Sequence, residues 1–268
     1  MKLKVSVIQS DIIAGDIGVN EVKAEIAIKK CAAAGADVVV LSELWNCGYD
    51  LKNLPAIAQK EKDSSMSLLK ALAEEYGINI VGGSIAERQD GAYYNMLPLI
   101  NRRGKITEKY RKAHLFSLGL EEEKYFNSGD QWGLGEIDGI VVGLMLCYDL
   151  RFPEFCRNLA LRGAKIVFVP AQWPLERIAQ WRILLQSRAV ENQVFVVGVN
   201  RVGKSELSLY SGHSLIIDPY GNILAEGSEE EEILSGVLDM ELIDICRTKI
   251  PSLNDRLNIL DEIDNNYF

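Results

Sequence analysis

The chain has 268 residues, 48% of them hydrophobic and 25% charged, a composition ordinary for a soluble globular protein of one large domain or two small ones. A formal net charge of −9 argues against a nucleic-acid-binding surface, which needs a basic excess or patch. No apolar run approaches the ~20 residues that span a bilayer, and residues 1–9 read as a first strand rather than a signal peptide. The expected setting is therefore the cytoplasm, with neither nucleic acid nor membrane as partner.

Taken in chain order, strand-like and helix-like runs alternate. Residues 4–9 predict a strand, residues 20–33 a helix stopped by Gly35, and residues 37–41 a short buried strand. Residues 64–76 have amphipathic spacing, with Ser64 as N-cap and Gly77 beyond the end. Residues 78–87 and 93–100 read as strands, and the polar stretch 101–105 turns the chain into a further strand at 106–110. The β-branched run 139–146 leads to Cys147, followed by a polar turn and a helix over 154–162 closed by Gly163. Then come a strand at 165–169, a helix at 178–191, and strands at 194–200, 213–218, 222–226 and 233–240. The acidic run 229–232 reads as a solvated turn. Residues 244–268 mix charge with scattered apolar side chains, which suits packing on a neighbour better than a place in the core. No linker divides the chain. The pattern predicts sheets covered by helices, an α/β or α+β layered fold in one domain over residues 1–268.

Cys31, Cys47, Cys147, Cys156 and Cys246 are odd in number, scattered and without a C-x-x-C pair, the pattern of reduced thiols rather than a disulfide framework. With only His114 and His213 present, a multi-histidine metal site is excluded and a histidine-activated thiol has few candidates. Cys147 stands out because a thiol at a strand-to-helix elbow lies near free backbone N–H groups that favour a thiolate or an oxyanion. Against that stands the ordinary role of cysteine as a small core residue. Glu43 ends a buried strand, where a carboxylate needs a partner or caps a turn. Lys112 follows a hairpin strand, and Glu122 sits in an acidic, aromatic-containing loop; alone, these read as surface charges.

Three segments together change that balance. Leu-Ser-Glu43-Leu-Trp, Tyr-Arg-Lys112-Ala-His-Leu-Phe and Cys147-Tyr-Asp-Leu-Arg-Phe-Pro-Glu, in this order, resemble the nitrilase superfamily of carbon–nitrogen hydrolases. The likeness extends from the first strand through Gly212-His-Ser to Asp218-Pro-Tyr-Gly-Asn222. It implies a four-layer α-β-β-α sandwich, a catalytic Glu43–Lys112–Cys147 set, and no metal or organic cofactor. A second family glutamate lies seven residues before a glycine, a spacing from Gly129 that selects Glu122 over Glu121 and Glu123. In the implied chemistry Cys147 attacks a small amide to form a thioester, Glu43 is the general base, and Lys112 with the Tyr148 backbone N–H stabilises the oxyanion. Glu122 would orient Lys112 and the substrate amide.

The stretch 169–193, with Trp173 expected to wall the pocket and Trp181 read as core, is similar to the omega-amidase branch, which deamidates 2-oxoglutaramate. An N-carbamoyl amine, an aliphatic amide or a nitrile remains an alternative substrate, and a noncatalytic binding protein a more distant one. A dicarboxylate-like substrate needs a second cation, for which Arg151, Arg177, Arg188 and Arg201 all stand open; Arg151 and Arg188 read first as structural ion-pair residues. The resemblance also implies a homodimer joined helix to helix, with residues 244–268 crossing to the partner.

Overall fold

Runs such as Val38–Val40 and Phe195–Val199 are buried at every position, which a strand allows only where both faces of its sheet are covered. The computed structural model describes residues 1–119, 121–206 and 208–257, and these form two sheets stacked between helices. The first sheet takes β1 (Lys2–Gln9), β2 (Val38–Val40), β3 (Asn79–Val81), β4 (Ile85–Gln89), β5 (Ala92–Ile100), β6 (Ile106–Arg111) and, from far along the chain, β15 (Glu232–Asp239). The second takes β7 (Leu134–Ile137), β8 (Ile140–Leu144), β9 (Ile166–Pro170), β10 (Phe195–Val199), β13 (Leu215–Ile217) and β14 (Ile223–Glu226), while β11 (Val202–Lys204) and β12 (Leu209–Ser211) form a separate hairpin.

Each sheet has a parallel heart, β1-β2-β3 in one and β8-β9-β10 in the other, flanked by antiparallel strands. In the first sheet β15 pairs with β1 from Lys2 opposite Asp239 to Gln9 opposite Glu232. The long β5 pairs with β3 and then β4 along one edge and with β6 along the other. The second sheet runs β14-β13-β10-β9-β8-β7. Between the sheets, Val5, Val7, Val40, Leu97 and Leu99 of the first share one apolar cluster with Val142, Leu144, Val167, Val169 and Val197 of the second.

Helices cover the outer faces. After α1 (Ile17–Ala33) and the single turn α2 (Leu54–Ile57), α3 (Ser64–Tyr76) packs beside α1, and Ile28, Met66 and Leu69 join Val39, Ile80 and Ile85 in a second apolar cluster. Against the other sheet lie α4 (Pro153–Leu161) and α5 (Ile178–Asn192). Here Gly198 permits the approach of α5, since a Cβ on it would stand 2.4 Å from Leu185 Cδ1. The result is the α-β-β-α sandwich expected.

Several local expectations are corrected. The run 78–87 is not one strand: Gly82, Gly83 and Ser84 break it into β3 and β4. Gly83 has φ +58°, and a Cβ there would lie 2.0 Å from the Ser42 carbonyl oxygen, so the break is where the chain passes the turn carrying Glu43. Asp63, not Ser64, holds the cap position of α3; Ser64 is already helical, and its hydroxyl donates to Glu21 Oε1 at 2.6 Å. Helix α1 starts earlier than expected, at Ile17, because the Asp16 carboxylate accepts from Val19 N, while the Asn20 side chain turns inward and donates to the Ile13 and Asn46 carbonyls. Strands β7, β11 and β12 had no recognised signal. Residues 241–249 form a helix, α6 (Glu241–Lys249), whose Ile243, just before the expected tail, joins the chain's own apolar cluster; within the tail Cys246 is buried, while the other described residues through 257 are exposed or half-buried. Residues 258–268, the far end of the segment expected at a partner, lie outside the described residues.

Candidate active site

Parallel strands all point their C-terminal ends the same way, and ligand sites of such sheets collect there. Glu43 follows β2, Cys147 follows β8, Gln172 and Trp173 follow β9, and Asn200 and Arg201 follow β10. Lys112 comes from the end of the antiparallel β6 and Asn95 from the middle of β5.

The turn bearing Glu43 is held by Ser84, whose hydroxyl accepts from Leu44 N at 2.8 Å and whose N–H donates to the Ser42 carbonyl. Glu43 is fully buried and every carboxylate oxygen is engaged: Oε1 accepts from Lys112 Nζ at 2.8 Å and Asn95 Nδ2 at 2.9 Å, and Oε2 from the Gln172 backbone N–H at 3.0 Å. Lys112, equally buried, also donates to both oxygens of Glu122, at 3.0 and 2.8 Å. Glu122 Oε2 further accepts from Phe116 N at 2.7 Å. Its neighbours point elsewhere: Glu121 and Glu123 are exposed, and Glu121 pairs with Lys124. The left-handed backbone of Glu121, at φ +51°, precedes the short helical turn Glu122–Lys124 that sends Glu122 inward.

Burial alone would lower the Lys112 pKa, but the charges of Glu122 and Glu43 outweigh it and hold the ammonium above its ordinary value. Cys147 opens a 3-10 turn, Cys147–Arg151, with a strained φ of +42°; helix α4 starts only at Pro153. Its Sγ lies 4.0 Å from the Gln172 carbonyl. Burial pushes the thiol well above its usual range, the nearby Glu43 charge adds to this, and Lys112 opposes it. The balance favours the thiol over the thiolate.

Asp149 ties the two catalytic-looking segments together. Its Oδ2 accepts from Tyr110 OH at 2.6 Å and Leu146 N at 2.9 Å, and its Oδ1 meets His114 N and Nδ1 at 3.0 and 2.7 Å. The segment after Lys112 is thereby fastened to the turn of Cys147.

A cavity of about 350 Å³ opens above the sulfur, lined by Cys147, Tyr148, Trp173, Tyr49, Arg151 and Arg177 among others. Trp173 Nε1 donates to the Arg177 carbonyl at 2.9 Å, whereas Trp181 is fully buried and bonds the His213 carbonyl, as a core residue does. Arg188 is structural, donating to Leu150 O and Glu191. Arg151 departs from the ion-pair role read for it: among the described residues it forms no ion pair, but stacks over Trp173 at 4.7 Å and donates to Gln180. No three His, Cys, Asp or Glu side chains are grouped to hold a metal among the described residues.

The site brings together Glu43, Lys112, Glu122, Cys147, Tyr148 and Trp173. Asn95, Gln172 and Tyr49 escaped the sequence reading. Asn95 had a signal, as a polar residue amid an apolar strand; Gln172 had the one that marked Glu43, a polar side chain just past a buried strand; Tyr49 had none.

A buried Glu–Lys–Glu cluster beside a thiol at the ends of two stacked sheets is the arrangement that the resemblance to carbon–nitrogen hydrolases implies. The family model for carbon–nitrogen hydrolases matches residues 4–248, and the chain belongs to that family. Among its relatives is the 2-oxoglutaramate amidase of Bacillus subtilis, 42% identical over 95% of this chain and 98% of that protein. The omega-amidase NIT2 of Homo sapiens is 33% identical over 94% of this chain and 91% of its own length. Among solved structures, Nit3 of Saccharomyces cerevisiae, a member of branch 10 of the nitrilase superfamily, superposes with a TM-score of 0.86 at 31% identity, covering 93% of this chain and 94% of that one.

Proposed function

We propose that this protein is an omega-amidase that hydrolyses the terminal amide of 2-oxoglutaramate to 2-oxoglutarate and ammonia, with Cys147 as nucleophile. The similarity to the Bacillus subtilis amidase supports the substrate. The observation that carries the chemistry is the sharing of one buried ammonium, Lys112, between Glu43 and Glu122, with Gln172 joining Glu43 to Cys147.

Two carboxylates and one ammonium leave the cluster with one net negative charge. A preformed thiolate would add a second, so attack and proton transfer go together: the Cys147 proton passes to Glu43 as Sγ bonds to the amide carbon. Lys112 has three N–H donors, and in the resting site they serve Glu122 twice and Glu43 once. Protonation of Glu43 weakens its hold and releases one donor to the developing oxyanion, beside the Tyr148 backbone N–H. Glu43 then gives its proton to the departing nitrogen, the C–N bond breaks, ammonia leaves and a thioester remains. Water attacks the thioester as Glu43 takes its proton; collapse of the second tetrahedral species returns that proton to sulfur and frees the acid. Glu122 keeps Lys112 charged and aimed throughout, and Trp173 walls the acyl chain.

Ammonia release from 2-oxoglutaramate, with hydroxylamine converting the thioester to a hydroxamate, tests this reading. Both signals vanish in Cys147→Ala; ammonia release at the normal rate by that variant refutes it. The same reading takes residues 1–268 as a single domain of a cytoplasmic homodimer. Five free cysteines suit a reducing compartment. Ile183 and Val190, seven residues apart on α5 and 62% and 50% exposed, offer an apolar helix face to a second copy. Sedimentation of the purified protein at the mass of one chain would rule the dimer out.

A further inference from the structure

A cationic grip is missing from the account so far, because Lys112 is fully occupied inside the cluster. We propose that Arg177 binds the carboxylate of the substrate at the end remote from the amide, and so makes the site selective for amides that carry a distal anion. This rests on the amidase reading above.

Four arginines come into question, and their bonding separates them. In Arg201 each guanidinium nitrogen is engaged: Nε with Val202 O, Nη1 with Gln172 Oε1, and Nη2 with Asp11 Oδ1 and Ile12 O. Arg188 is buried against Leu150 O and Glu191 and does not line the cavity. Arg151 does line it, but its guanidinium is laid on the Trp173 ring and Nη2 is held by Gln180 at 2.8 Å. Arg177 lines the same cavity, and among the described residues its guanidinium makes no hydrogen bond or ion pair; it rests over the Phe116 ring, 5.5 Å from the centroid. Glu176 also lines the cavity but is exposed and forms no pair with Arg177 among the described residues.

A half-buried guanidinium with its planar fork unfilled is matched to one kind of ligand group, a carboxylate taken up bidentately. The backbone of Arg177 is fixed by the Trp173 Nε1 bond to its carbonyl, so the aromatic wall and the cation move as one piece. The cavity is also polarised. Its floor adjoins a cluster with one net negative charge, while Arg177 and Arg151 stand in its wall. A molecule with an amide at one end and a carboxylate at the other enters with the carboxylate held outward and the amide delivered to Cys147; the reverse pose sets carboxylate against carboxylate.

The test compares 2-oxoglutaramate with 4-oxopentanamide, in which a methyl group replaces the carboxylate. The wild-type enzyme should favour the anion by roughly 100-fold in kcat/KM, the scale of one bidentate charge-assisted pair. In Arg177→Gln that ratio collapses towards one, through KM for 2-oxoglutaramate and with kcat little altered; Arg177→Lys restores part of it, and Arg151→Gln leaves it standing. Turnover of 4-oxopentanamide by each variant shows that the site is assembled. If wild-type protein turns over neither amide, the substrate reading itself fails; if it turns over the two equally, the substrate reading stands and the selectivity for a distal anion is overturned. If wild-type discriminates and Arg177→Gln discriminates equally well, the substrate reading stands and the assignment of Arg177 is overturned.

Discussion

Replacing Lys112 by methionine keeps the length of the side chain and deletes its charge, which makes it a sharp probe of the buried cluster. In the wild-type protein three N–H···O bonds run from Nζ, one to Glu43 and two to Glu122, and all three side chains are sealed from water. Without the ammonium, Glu43 retains Asn95 and the Gln172 N–H, Glu122 retains Phe116 N, and the two carboxylates face each other across Asn95. Stranding one member of a buried ion pair costs about 3–5 kcal/mol. That is a large part of the ~5–15 kcal/mol by which a protein is usually stable, and for a chain of this size it corresponds to a fall in Tm of roughly 5–10 °C. One of the stranded carboxylates must hold a proton in the folded state, its pKa raised above the unfolded value, so folding is favoured at low pH and loses ground as pH rises. The deficit against wild type is therefore smaller at pH 5 than at pH 8. Adding Glu122→Leu removes the second charge and should recover at least half of the lost Tm, without any recovery of ammonia release. Thermal unfolding followed by circular dichroism at both pH values decides the matter. A Lys112→Met protein that melts within about 2 °C of wild type at pH 8 would refute the claim that this lysine compensates two buried carboxylates.

Because burial and the Glu43 charge keep Cys147 protonated, iodoacetamide should alkylate it at pH 7 more slowly than it alkylates free cysteine, with a rate climbing well above pH 8; labelling at pH 7 faster than the free amino acid contradicts this. Burial also raises Cys31 to about 11 and Cys47 and Cys156 to about 12. Their folded values exceed the unfolded ones, so the stability they lend is complete below about pH 9 and is lost as pH rises towards 11–12, at about 1.4 kcal/mol per thiol per pH unit. Urea unfolding at pH 8 and pH 10.5 reads that slope, and an unchanged midpoint would be incompatible with it. Gly83→Ala, whose Cβ would press on the Ser42 carbonyl, should shift the Glu43 turn and cut kcat at least tenfold even in protein that remains folded; full activity would show that the turn has slack.

The alternation of apolar runs made the layered architecture legible, since strands buried on both faces leave little choice but sheets under helices. Glu43, Lys112 and Cys147 were legible from their segments together, although nothing local to Lys112 distinguishes it from a solvated lysine. What sequence could not carry was the meeting of distant backbone. Gln172 reaches the Glu43 carboxylate through a main-chain N–H, which marks no residue choice even though its side chain also holds the Glu43 carbonyl, and the Gly82–Ser84 interruption of β3 and β4 is a response to the Ser42 carbonyl in the turn after β2. The arginines could not be ranked from the sequence for the same reason: Arg177 and Arg201 differ only in what surrounds them. The burial of Ile243 and Cys246 in α6 was hidden by the charges around them, at Glu241, Asp244, Arg247 and Lys249.

Glu43, Asn95 and Lys112 belong to one sheet, and Cys147, Gln172 and Trp173 to the other. No intact half of the sandwich owns the reaction. Sliding one sheet over the other by an ångström would leave every strand ladder hydrogen-bonded and far-ultraviolet dichroism unmoved, yet would part Glu43 from Cys147. Enzymatic turnover in this protein is thus a gauge of sheet-to-sheet registry, set to fail under mild denaturant before secondary structure does.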